Sequence, residues 1–75
     1  MSKNYTIEEI WSNVADILEA EPDGLTVAKI FQGLELKGMS IHHIGLTYML
    51  RTLVMEGKVR RTFYGNAVAY RLVRR

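Results

Sequence analysis

The sequence predicts an α+β fold: three helices, the second and third forming a helix-turn-helix, followed by a C-terminal β-hairpin. Three observations carry this expectation. Apolar residues recur at helical spacing in three stretches before Gly57. From Val59 to Leu72 the pattern switches to alternation about Gly65-Asn66, a pair suited to a tight hairpin turn. Pro22-Asp23-Gly24 and Gly57 stand where helices are expected to end. The 75 residues are read as one domain, 1–75, with a small core that needs no covalent staple.

The first helix starts at Thr6. Thr6-Ile7-Glu8-Glu9 is a capping box, in which the Thr6 hydroxyl serves the Glu9 N–H and the Glu9 carboxylate reaches back. Tyr5 and Ile10 are placed to form a hydrophobic staple. Ile7, Ile10, Trp11, Val14, Ile17 and Leu18 make one apolar stripe. The helix is expected to stop near Ala20, because Pro22 disfavours helical backbone at Glu21.

Leu25 reads as a very short third strand or as an extended plug. Thr26 is expected to cap the second helix, Val27 to about Leu34, with Val27, Ile30, Phe31 and Leu34 turned inward. Gly33 offers room for another backbone. The segment Glu35 to Ile41 is then a connection, anchored inward by Leu36, Met39 and Ile41, and Ser40 or Ile41 caps the third helix. Leu46, Met49, Leu50, Leu53 and Val54 share one face of that helix. Gly57 follows its end, where positive φ is wanted.

Taking Gly65-Asn66 as the turn pairs Tyr64 with Ala67, Phe63 with Val68, Arg61 with Tyr70, Arg60 with Arg71 and Val59 with Leu72. Val59, Phe63, Val68, Tyr70 and Leu72 then form a face that closes over the helices, with Arg61 beside Tyr70. Lys58, Arg60, Thr62, Tyr64 and Arg71 form the other. Like charges directly opposite destabilise a sheet, so Arg60 facing Arg71 suggests an anion between them; two side chains splayed into water are the plainer alternative. Val73-Arg74-Arg75 are expected to fray.

Charge is divided along the chain. Residues 1–50 carry three lysines against seven acids, and residues 51–75 carry seven cations against one acid. Six of those seven cations are arginine, whose planar fork suits phosphate. One anion-facing surface is implied. The chain has no cysteine, which excludes a disulfide framework and thiol chemistry. MSKNY has no apolar signal core and no apolar run approaches a membrane span, so a cytoplasmic location without membrane contact is expected.

Catalytic signals are weak, and no enzymatic activity, metal or cofactor is expected. His42 and His43 are adjacent, so on a helix they point about 100° apart and chelate poorly. Gly45, Leu46 and Thr47 supply no ligand one turn on. Gly33, Gly38 and Gly45 are too scattered to cradle a phosphate, and Ser40 near His42 lacks an orienting acid.

The run Leu46…Leu50…Leu53…Glu56-Gly57-Lys58-Val59-Arg60-Arg61, within the helix and strand order from Thr6 to Leu72, resembles the winged helix-turn-helix superfamily. The similarity is to small bacterial and archaeal regulators, including those of the multiple-antibiotic-resistance type. The resemblance implies a non-catalytic regulator of transcription that binds double-stranded DNA, with its third helix in the major groove and its hairpin wing on the backbone or minor groove. Carried over from Gly57, the groove-facing positions are His43, Ile44, Gly45, Thr47, Tyr48, Arg51 and Thr52. On the wing, Lys58, Arg60 and Arg71 meet phosphate, while Tyr64 and Asn66 at the tip touch groove or backbone. Arg74 and Arg75 add attraction independent of sequence.

With Leu46 at the centre of the inward face, Ile44, Tyr48, Arg51 and Met55 fall on the opposite side of the third helix. Three readings stay open. Ile44 and Tyr48 pack on thymine methyls and sugars while Arg51 reaches guanine or phosphate. Alternatively, Ile44, Tyr48 and Met55 hold a protein partner or a second copy of the chain, as in a subunit of a replication, transcription or RNA-processing assembly. In the third, the helix is buried more broadly and Ile44 lies under the preceding turn.

Overall fold

Local signals set most helix ends of the computed structural model, which describes residues 5–73. In chain order the elements are α1 (Ile7–Glu19), β1 (Leu25–Thr26), α2 (Val27–Leu36), α3 (His43–Met55), β2 (Val59–Tyr64) and β3 (Ala67–Leu72). The architecture is α+β, three helices with a three-stranded antiparallel sheet.

The capping box of α1 is made in both directions. The Thr6 N–H donates to Glu9 Oε1 at 3.0 Å and the Glu9 N–H to Thr6 Oγ1 at 3.1 Å. Thr26 caps α2 by accepting the Lys29 N–H at 3.4 Å. Leu25 forms a strand: Leu25 pairs with Tyr70 and Thr26 with Ala69, giving the strand order β1–β3–β2.

The region between α2 and α3 departs from the sequence reading. α2 runs two residues further, to Leu36. It ends in a Schellman arrangement, with the Gly38 N–H on the Glu35 carbonyl and the Met39 N–H on the Leu34 carbonyl, both at 2.9 Å. This tucks Met39 into the core beside Leu34 but leaves Leu36 on the solvent side, 89% exposed. The cap of α3 is His42, not Ser40 or Ile41, and its side chain makes no capping bond. Gly33 admits a side chain rather than a backbone, since a Cβ there would lie 2.9 Å from Ile17 Cδ1 of α1.

α3 ends as expected. Gly57 adopts φ 77°, and the Gly57 and Lys58 N–H groups return to the Val54 and Leu53 carbonyls at 3.0 Å. The chain thus turns at once into β2. The β2–β3 register agrees with the expected one at every pair from Val59–Leu72 to Tyr64–Ala67. At the turn Gly65 has positive φ and Asn66 does not, which is a type II′ arrangement. Val73, expected to fray, is held by its N–H to the Lys58 carbonyl at 3.2 Å. Arg74 and Arg75, expected to fray with it, lie outside the described residues.

One hydrophobic cluster joins Ile10, Val14 and Leu18 of α1, Ile30 and Leu34 of α2, and Leu46, Leu50 and Leu53 of α3 to Val59 and Tyr70 of the sheet. Each fully buried Leu, Ile or Val contributes roughly 1.5–3 kcal/mol. The cluster covers the root of the hairpin and not its tip. Phe63, expected to close over the helices, is 67% exposed because it sits only two positions before the turn residue Gly65, beyond the helical layer.

Candidate functional site

Two adjoining surfaces stand out, the outward face of α3 and the hairpin. Leu46, Leu50 and Leu53 bury one side of α3, which turns Ile44, Tyr48 and Met55 to solvent at 76%, 65% and 83% exposure. The broader burial considered from sequence does not occur. Ile44, Thr47, Tyr48 and Arg51 line an open cavity of about 250 Å³. These four positions lie at i, i+3, i+4 and i+7, so they share one face.

The polar groups of this face are few and partly committed. The Thr47 hydroxyl donates to the His43 carbonyl at 3.0 Å, and the Thr52 hydroxyl donates to the Tyr48 carbonyl at 3.1 Å. With its hydrogen spent on the backbone, each hydroxyl has acceptor capacity left. The His43 ring lies tilted against Phe31 of α2, centroids 5.6 Å apart, so α2 orients it at the first turn of α3. Arg51 is the one Lys or Arg of α3.

The hairpin carries Arg60 and Arg61 on β2 and Arg71 on β3, and α3, β2 and β3 contain no Asp or Glu. Arg60 and Arg71 are directly opposite. With Pro22, Leu72 and Val73 they line a cleft of about 320 Å³ at the hairpin root. Arg71 Nε is buried without a hydrogen-bond partner. Arg71 as a residue is half-buried, whereas Arg60 is exposed. A buried N–H left unpaired costs free energy, so such an atom asks for an acceptor.

Other expected wing contacts are differently disposed. Lys58 sits with its ammonium 5.5 Å from the Trp11 ring centroid and 3.6 Å from the Glu56 carboxylate. Tyr64 does not project from the tip; its hydroxyl donates to the Asp23 carbonyl at 3.3 Å, and its ring lines a groove with Ala69 and Lys29. Asn66 is exposed at the turn.

Sequence reasoning passed over Arg61 and Phe63 as a contact pair. The Arg61 guanidinium stands 5.9 Å from the exposed Phe63 ring. The signal was the distance of Phe63 from the hairpin root, since an apolar residue next to a turn outruns a three-helix layer. Pro22 was read only as a helix stop, and its role as a cleft wall depends on tertiary placement.

Among the described residues no group of three His, Asp or Glu side chains is placed to hold a metal ion, and no helix is long and apolar enough to cross a membrane. Comparison with protein-family models, curated proteins and solved structures finds no match.

Proposed function

We propose that the chain is a winged helix-turn-helix protein that binds double-stranded DNA without catalysis, as a small regulator of transcription. The observation that carries this reading is the charge of the α3–β2–β3 half, in which Arg51, Lys58, Arg60, Arg61 and Arg71 stand against one carboxylate, Glu56, between α3 and β2. A predominantly positive field on adjoining elements attracts a polyanion. The element order and the β1–β3–β2 sheet support a winged fold.

In this reading α3, about 20 Å long, lies in the major groove, which admits a helix. Ile44 and Tyr48 pack on thymine methyls. Arg51 donates to guanine or to phosphate. Thr47 accepts from an exocyclic amine of cytosine or adenine, because its own hydrogen is held by the His43 carbonyl. His43 and Thr52 flank this patch. The hairpin holds the backbone through Arg60 and Arg71, with Lys58, Tyr64 and Asn66 at its edges.

The test is a fluorescence-anisotropy titration with mixed-sequence duplex at low and moderate salt. Binding that falls steeply with salt is expected, since each neutralised phosphate releases counterions. Absence of binding at low salt would defeat the reading.

The exposure of Ile44, Tyr48 and Met55 favours a second reading, a protein contact or a second copy on α3. Such an apolar complex would persist as salt rises.

A further inference from the structure

We infer that Arg60 and Arg71 act together as a clamp for one phosphate group, seated in the cleft at the root of the hairpin. The inference rests on the reading of this face as one that meets phosphate, and it adds a defined site and stoichiometry. Several observations converge. The two arginines are directly opposite on neighbouring strands, where side chains lie close enough to share a ligand. Among the described residues neither guanidinium has an ion-pair or hydrogen-bond partner. Arg71 Nε is buried and unpaired beside the cleft that Arg60, Arg71 and Pro22 line.

The chemistry follows from the geometry. Two guanidiniums facing one another repel unless an anion lies between them. Pro22, Leu72 and Val73 complete the lining of the cleft beside the arginines. Pro22 also has no N–H to offer, so the donors come from the arginines. A tetrahedral oxyanion has several acceptor oxygens and can take a fork from each side. A DNA phosphodiester and a free phosphate share this chemistry.

The site lies away from the turn. Arg60 follows the first residue of β2 and Arg71 precedes the last of β3, whereas Gly65-Asn66 caps the far end. A backbone held here crosses the sheet root near the loop between α1 and β1.

The experiment follows the arginine Nε–Hε resonances by NMR during titration with inorganic phosphate, at ionic strength held constant with chloride. Saturable movement of Arg60 and Arg71, with Arg51 and Arg61 unmoved, is expected. Arg60→Gln should weaken the Arg71 response about tenfold, as loss of a charged hydrogen bond implies. Arg60→Lys keeps the charge, loses the fork and should fall between. Equal movement of all four arginines, no saturable movement, or an unchanged Arg71 response in Arg60→Gln would overturn the clamp. A second titration uses duplex DNA. Duplex binding with the Arg71 resonance unmoved overturns the clamp and leaves the DNA reading standing. A phosphate response without duplex binding upholds the clamp as a site for a free phosphate and defeats the DNA reading.

Discussion

Arg60→Glu should make the protein more stable and, at the same time, a weaker binder of duplex DNA. Arg60 faces Arg71 across the β2–β3 ladder. Directly opposed side chains place their Cβ atoms about 4.5–5.5 Å apart, and an opposite-charge pair there contributes roughly 0.2–1 kcal/mol where a like pair costs a similar amount. Arg60 is exposed, so solvent screening limits the gain. The carboxylate also offers an acceptor near the unpaired Arg71 Nε. A net gain of about 0.5–1 kcal/mol is expected, which for a domain of this size raises Tm by roughly 2–8 °C. Binding should move the other way, because removing one phosphate contact lowers the slope of log K against log salt by about 0.9. Urea unfolding at low and at high salt is the assay, with the midpoint rising at an unchanged m-value. Salt should stabilise the wild type and erode the advantage of the variant. A midpoint at or below that of the wild type at low salt would refute the repulsion argument. Unchanged duplex affinity would remove Arg60 from the binding surface.

Three further outcomes are expected. Gly45→Ala should stabilise α3 by about 0.5–1 kcal/mol in urea unfolding, since alanine is the better helix former and a Cβ there meets nothing closer than Ile41 Cγ2 at 3.9 Å. Phe63→Ser should leave stability within about 0.5 kcal/mol, as befits a surface position; a loss of the size seen for core aromatics would mean the hairpin tip is packed. Tyr48→Ala should change base preference at one position of a selected duplex while leaving the salt slope unchanged, because no charge is lost. An equal loss of affinity across all sequences would place Tyr48 outside direct readout.

Elements with strong local chemistry were legible in the sequence. Thr6 and Glu9 cap each other within one turn, Gly57 closes α3 through its own neighbours, and Gly65-Asn66 sets a register that propagates by alternation. The connection from Leu36 to His42 was less legible for a physical reason. Its apolar residues carry no period, so which of them turn inward depends on the Gly38 bonds that end α2. The Schellman bonds at Gly38 draw Met39 in and leave Leu36 out. A glycine followed by an apolar residue is the sequence signal for that ending. Within the candidate site, the opposition of Arg60 and Arg71 could be read from register alone. The unpaired Arg71 Nε and the Pro22 wall could not, because they depend on where the loop before β1 packs against β3.

In the proposed complex the two surfaces would divide the work of binding unequally. α3 offers the groove one cation, Arg51, and a Thr47 hydroxyl whose hydrogen is already taken. Its other exposed side chains, Ile44 and Tyr48, are apolar or aromatic and would discriminate chiefly through thymine methyls. In the same proposal the hairpin offers Arg60 and Arg71 to phosphates, which every sequence shares. In the proposed complex affinity therefore comes mainly from the hairpin, and preference among sequences comes from a narrow apolar strip on α3. That strip is also the surface a protein partner or a second copy would cover. Ile44 and Tyr48 cannot face the groove and a partner at once, so on this chain association through α3 and base reading by α3 are mutually exclusive. The proposed Arg60–Arg71 clamp would lie on the sheet, on no part of α3, and would be compatible with either.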